Sequence, residues 1–148
     1  MNDIKILLVD DEEDFIRALS ERLELRDLKS NTALDGAQAI KLVDDQEPDI
    51  MILDLKMPGI NGMEVLRKVR KSYPRIQVII QTGHGNDMDE AEARELGVFD
   101  YLKKPVDIEL LVERIKAAAK AMKITDSMAA AAYAEEGEHE TARKMMKG

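Results

Sequence analysis

The chain has no cysteine and only two histidines in 148 residues. Without thiols it can form no disulfide framework and no thiolate zinc site. Neither His84 nor His139 adds a convincing nitrogen ligand and no thiol exists, so zinc is a poor match to what the chain offers. No apolar run approaches the roughly 18 residues of a membrane span. The start, Met1-Asn2-Asp3-Ile4, has no basic region followed by an apolar core. Together these absences predict a soluble, cytoplasmic protein with no membrane partner. A basic surplus is missing too: 22 Lys and Arg face 30 Asp and Glu, for a net charge of −8. That balance opposes attraction to a phosphate backbone and argues against direct binding of nucleic acid.

What the sequence does have is four short apolar runs, each ending in a residue that a phosphoryl group would need. Ile4 to Val9 leads into Asp10-Asp11, and Asp49 to Leu53 into Asp54. Ile76 to Gln81 leads into Thr82, and Val98 to Leu102 into Lys103-Lys104-Pro105. Each run is followed by a segment whose apolar residues return at helical spacing. Phe15, Leu19 and Leu23 form one stripe, Ala37, Ile40 and Val43 a second, and Leu66, Val69 and Tyr73 a third. Ile108, Leu111, Ile115 and Ala119 form a long fourth. Leu28 to Ala33 is polar enough to be only an edge strand.

The alternation predicts an α/β fold, (βα)5, a doubly wound parallel sheet of the flavodoxin-like type with strand order 2-1-3-4-5. Nearly unbroken apolar strands are expected where both faces of a sheet are covered. Residues 87 to 96 read as a helix with a thin apolar face that stops at Gly97. Little core contact would hold such a helix, which makes it a candidate moving part. Pro48, Pro58 and Pro74 reinforce the boundaries. One compact domain is expected over residues 1 to 123, and a chain of this size can bury roughly 70% of its unfolded surface. Residues 124 to 148 form a helical C-terminal extension, too short for a DNA-binding or catalytic domain. A first helix over 127 to 136, a stop at Gly137 and a short second helix over 139 to 146 are expected there. The extension resembles part of a tetratricopeptide-type hairpin, though one unit cannot make a solenoid.

Strands that run parallel bring their carboxyl ends to one edge, where open α/β sheets bind ligands. Asp10, Asp11 and Asp54 would then repel one another, and a bound cation is the remedy. An all-oxygen set suits magnesium. Asp54, alone after an unbroken apolar strand, is the best nucleophile, since a carboxylate can accept a phosphoryl group as an acyl phosphate. Lys104 offers a point charge and Thr82 a hydroxyl donor for phosphoryl oxygens. Taken singly, Asp-Asp before a helix is also a good N-cap. Its coincidence with three other strand ends favours the site.

Asp10-Asp11, Leu53-Asp54-Leu55-Lys56-Met57-Pro58-Gly59, Thr82-Gly83 and Tyr101-Leu102-Lys103-Lys104-Pro105 together resemble the signature set of the response-regulator receiver domain. That domain is the phosphoacceptor half of bacterial two-component signalling, and the likeness covers about residues 1 to 123. The resemblance implies that Asp54 takes its phosphoryl group from a histidine kinase phosphohistidine. It implies that Asp11, Asp54 and the Lys56 carbonyl hold Mg2+, with Asp10 nearby or acting through water. It also implies a cis Lys104-Pro105 bond and a switch pair, Thr82 and Tyr101. Lys56 and His84, two residues beyond the acceptor and the switch Thr, would tune phosphoryl lifetime; for His84 an exposed loop residue is the plainer alternative. The chain departs from the common pattern with Ile60-Asn61-Gly62 where many members have Met-Asp-Gly.

The resulting expectation is a non-enzymatic, single-domain response regulator or phosphorelay intermediate. Its partners would be a sensor histidine kinase or phosphotransfer protein, a downstream protein of unknown identity, and a second copy in a homodimer. One competitor is an aspartyl-phosphate phosphatase of the haloacid dehalogenase type, a family that resembles Asp-x-Asp-x-Thr where this chain has Asp54-Leu55-Lys56-Met57-Pro58. Another is a flavodoxin-like nucleotide or flavin binder, which lacks support because Asp10 to Asp14 is acidic where a glycine-rich phosphate loop belongs.

Overall fold

A computed structural model describes residues 3–135, positions 58 and 84 apart. Strands β1 (Ile6–Val9), β2 (Ser30–Ala33), β3 (Ile50–Leu53), β4 (Gln77–Thr82) and β5 (Asp100–Lys103) alternate with five helices. These are α1 (Glu13–Glu24), α2 (Gly36–Asp45), α3 (Gly62–Ser72), α4 (Asp87–Glu95) and α5 (Ile108–Glu135). All neighbouring strands pair in parallel, in the order β2-β1-β3-β4-β5. The expected flavodoxin-like sheet is therefore the observed one.

Strand side chains alternate between two apolar layers. Leu7, Val9, Met51, Leu53, Val78 and Ile80 face α2, α3 and α4, where Val43, Leu66, Val69 and Ala93 meet them. Ile6, Leu8, Ile50, Ile52 and Ile79 face α1 and α5, meeting Ile16, Leu19, Leu23, Leu111 and Ile115. Covered on both faces, β1 and β3 are buried at every residue. β2 lies at the edge and is buried only at Ala33, as its polar sequence predicts.

The α2 stripe differs from expectation. Ala37 is exposed, and the buried face is Gly36, Ala39 and Val43. A single methyl gives little hydrophobic preference for either side. Gly36 instead fixes the approach: a Cβ there would lie 2.5 Å from the Ile60 carbonyl oxygen.

Helix α4 buries only Ala93 and stops before Gly97 at φ +86°, a conformation glycine adopts without a Cβ penalty. Its thin face is as anticipated. Asn61 caps α3 by accepting from the Glu64 N–H at 3.0 Å. Asn caps as well as Asp does, so the departure at this position is structurally mild.

Helix α5 runs through Lys123 without a break and on to Glu135. Within the stretch past Lys123, Asp126 accepts through both carboxylate oxygens from Arg75, in the loop before β4, at 3.3 and 2.6 Å. The expected stop at Gly137, the helix over 139–146 and its tetratricopeptide-like pattern lie outside the described residues.

Candidate functional site at the carboxyl edge of the sheet

Register decides which side chains meet. Val9 pairs with Leu53 and Leu53 with Ile80, so the next residues, Asp10, Asp54 and Gln81, are neighbours in one row as the strands end. Thr82 pairs with Lys103, which brings Lys104 to the same edge. Asp10, Asp54 and Thr82 are 4%, 2% and 1% exposed. Carboxylates so deeply buried need partners.

Their principal partner is Lys104. Its Nζ lies 2.6 Å from Asp10 Oδ2, 3.5 Å from Glu12 Oε1 and 3.6 Å from Asp54 Oδ2. It also lies 4.4 Å from the centroid of the Phe15 ring, close enough for a cation–π contact. Burial is the largest influence on this ammonium and works against its charge. The hydrogen bond to Asp10 and the charges of Asp10, Asp54 and Glu12 outweigh it, holding the Lys104 pKa above the usual lysine value. The Lys104-Pro105 bond is cis.

Asp10, Glu12 and Asp54 each bring a carboxylate oxygen within 4.8 Å of the others. The Glu12 N–H donates to Asp10 Oδ1 at 2.9 Å and the Lys56 N–H to Asp54 Oδ1 at 3.3 Å. An all-oxygen donor set of this size fits a hard divalent cation. Asp11, expected among the ligands, is exposed and stands outside this group, where Glu12 takes the third place. The turn after β1 brings Glu12 into this group, because the Glu12 N–H bonds back to Asp10. Behind the nucleophile candidate, Gly62 packs so tightly that a Cβ would lie 2.2 Å from the Asp54 carbonyl oxygen. Lys56 is exposed at the rim, and His84 lies outside the described residues.

Residues 6–116 match the model of the response regulator receiver domain. The chain belongs to the response regulator receiver family. A receiver from Clostridium thermocellum is 33% identical, with a TM-score of 0.78 over 82% of this chain and 98% of that one. A CheY-like receiver from Methanospirillum hungatei JF-1, at 24% identity, shares the fold with a TM-score of 0.80 over 82% of this chain and 98% of that one. NtrX from Brucella abortus is 27% identical, with a TM-score of 0.78 over 84% of this chain but only 28% of NtrX, so there the likeness is to a part of a longer protein.

Receivers are phosphoacceptors that work with a histidine kinase or phosphotransfer protein, and among the readings weighed from sequence this is the one the family supports. No helix among the described residues is long and apolar enough to cross a membrane. In this receiver Tyr101 is buried, and its hydroxyl has no hydrogen-bond partner among the described residues. Burial, then the nearby Asp89 and Glu90 charges, raises its pKa. The ring has room because position 85 is glycine: a Cβ there would lie 1.9 Å from the Tyr101 hydroxyl oxygen. The sequence pattern by itself marks none of Gly85, Glu12, Gln81 or the cation–π role of Phe15. Glu12 and Gln81 could have been found by extending the strand register one residue past each apolar run.

Proposed function

We propose that this receiver accepts a phosphoryl group on Asp54 from the phosphohistidine of a sensor histidine kinase or phosphotransfer protein, with Mg2+ bound, and so switches a partner-binding surface. The observation that carries the reading is Asp54 itself, 2% exposed at the end of β3 with Asp10, Glu12 and the Lys104 ammonium around it. An Asp54 carboxylate oxygen attacks phosphorus, the P–N bond breaks, and the imidazole nitrogen leaves with the electron pair. Little covalent chemistry falls to the protein, so positioning and charge do most of the work.

Asp10, Glu12 and Asp54 would hold the cation, with Asp11 and the Lys56 carbonyl as the further oxygens that the resemblance implies. Magnesium, when bound, neutralises the carboxylates and the incoming phosphoryl oxygens. Lys104 would then turn from Asp10 to the phosphoryl oxygens, and the Thr82 hydroxyl would donate to another. Tyr101 follows Thr82 as the second member of the switch. This receiver acts as a switch or phosphorelay carrier without turning over small phosphoesters. Residues past 123 serve contacts with a downstream protein or a second copy.

Purified protein with Mg2+ and acetyl phosphate should gain the mass of one phosphoryl group, and Asp54→Asn should abolish the gain. Undiminished labelling of that variant would overturn the assignment. The same label reports on the rim: Lys56 lays its stem across the path of the attacking water, so Lys56→Asn should lose phosphoryl groups faster. Equal or slower decay makes Lys56 a bystander.

A further inference from the structure

Gln81 is 5% exposed, and its Oε1 has no hydrogen-bond partner among the described residues. It stands beside Asp54 in the sheet, one residue past the Leu53–Ile80 pair. Both line a small hollow of about 10 Å3, room for about one water, against α1. The hollow's walls include Phe15, Ile16 and Leu19, and its only polar side chains among the described residues are Asp10, Asp54 and Gln81.

A buried carboxamide with apolar neighbours needs a polar partner, and here the choice is narrow. Ionised carboxylates only accept hydrogen bonds, whereas the Gln amide has two N–H donors and one acceptor oxygen. Next to two carboxylates the Nε2 end is the chemically matched one, yet among the described residues neither end of the amide makes a direct hydrogen bond, and Oε1 is fully buried without a partner. Leaving that oxygen unpaired costs stability, so packing gives no reason for a glutamine at this place. Resting on the phosphoacceptor reading of Asp54, we propose that Gln81 is a positioning residue: its Nε2 amide holds the Asp54 carboxylate from the α1 side through one water seated between them. The outer approaches to Asp54 are already taken, Oδ1 by the Lys56 N–H and Oδ2 by Lys104. Support from the α1 side fixes the direction of the carboxylate without occupying the face from which phosphorus approaches once Lys104 turns to the phosphoryl oxygens.

Gln81→Met keeps the length of the side chain and removes both amide ends. With Mg2+ and acetyl phosphate, mass-resolved labelling of Asp54 should slow by roughly tenfold, the scale on which a misdirected reacting group acts. Melting temperature should stay level or rise, a split that a merely structural residue would not show. In wild-type protein the Gln81 side-chain amide protons should exchange slowly and shift when beryllofluoride and Mg2+ are added. A variant that labels at the wild-type rate, or one that melts lower, overturns the proposal. So do wild-type amide protons that exchange as fast as those of exposed glutamines, a measurement needing no variant. Wild-type protein that gains no mass on Asp54 is instead the failure of the phosphoacceptor reading.

Discussion

Helices α1 and α4 border the same sheet, yet they are held by different forces. Helix α1 buries Ile16, Leu19 and Leu23 in the layer it shares with α5. Helix α4 buries only Ala93, and its Met88 is 81% exposed. What fastens α4 is polar. Arg67 grips both Glu92 oxygens at 2.7 and 3.0 Å, Arg70 Nε donates to the Leu96 carbonyl at 2.8 Å, and Asn86 and Asp89 form a capping box. Apolar burial is non-directional and large, while exposed ion pairs are weak and easily exchanged. The lesson is that one flank of the site is a fixed wall and the other is free to report on it.

The largest effect should come from attacking the wall. Leu23 is fully buried, so Leu23→Ala should cost about 2–5 kcal/mol through lost transfer energy and the cavity left behind. Met88→Ala on α4 should change stability by less than about 0.5 kcal/mol. Urea unfolding measures both, and similar losses would break the comparison.

Next in size is a change between the flanks. A Gly85→Ala methyl would fall on the Tyr101 hydroxyl, so the ring must leave its buried place or the loop must shift. Overpacking of this kind costs about 1–3 kcal/mol. Tyr101 should then titrate nearer the usual tyrosine value, read by ultraviolet absorbance at alkaline pH. An unchanged titration would mean that the loop yields and the ring does not.

Alkaline pH tests both flanks together. Tyr101 and Lys104 both have pKa values raised by folding, the first chiefly by burial, the second because Asp10, Asp54 and Glu12 outweigh burial. A raised value stabilises the protonated form, so the contribution is complete below the unfolded values of about 10 and 10.4. It is lost as pH rises through the folded ones. Melting temperature should be unaffected by these two groups from pH 7 to about 9 and fall above pH 10. Tyr101→Phe should flatten part of that fall, and an identical curve would remove Tyr101 from the account.

These contrasts also show what the sequence could reveal. Ile6 to Val9, Ile50 to Leu53 and Val78 to Ile80 are unbroken because both their faces are covered, so the sheet and its order were legible. The thin face of α4 was legible too, since periodicity measures apolar burial directly. Polar geometry was not. That Glu12 joins Asp10 and Asp54 follows from a backbone hydrogen bond in a turn, which no periodicity announces. Gln81 passed as the end of an apolar run, and only register places it beside Asp54. The spacing of apolar residues misplaces Ala37 because a methyl group weighs little. The continuation of α5 past Lys123 follows from the absence of any breaker, but its link from Asp126 to Arg75 spans 51 positions in the chain.

The smallest expected effect sharpens the comparison most. Arg67 and Glu92 are about half exposed, so their pair should add little to global stability, and Arg67→Ala should leave the unfolding midpoint unchanged. Locally the pair is one of few restraints on α4. Amide exchange across 87–96 should therefore quicken in the variant while 13–24 stays as in wild type. Salt should mimic the substitution, because at about 1 M the screening length falls to about 3 Å. Beryllofluoride added to wild-type protein should alter exchange at Thr82, across 87–96 and at Tyr101, the region that the variant has already loosened. Population shift needs only a few kcal/mol of differential binding, which a flank held this lightly can supply. Changes confined to residues 10–25, in either experiment, would mean that α1 is the moving element and that buried area does not decide which flank responds.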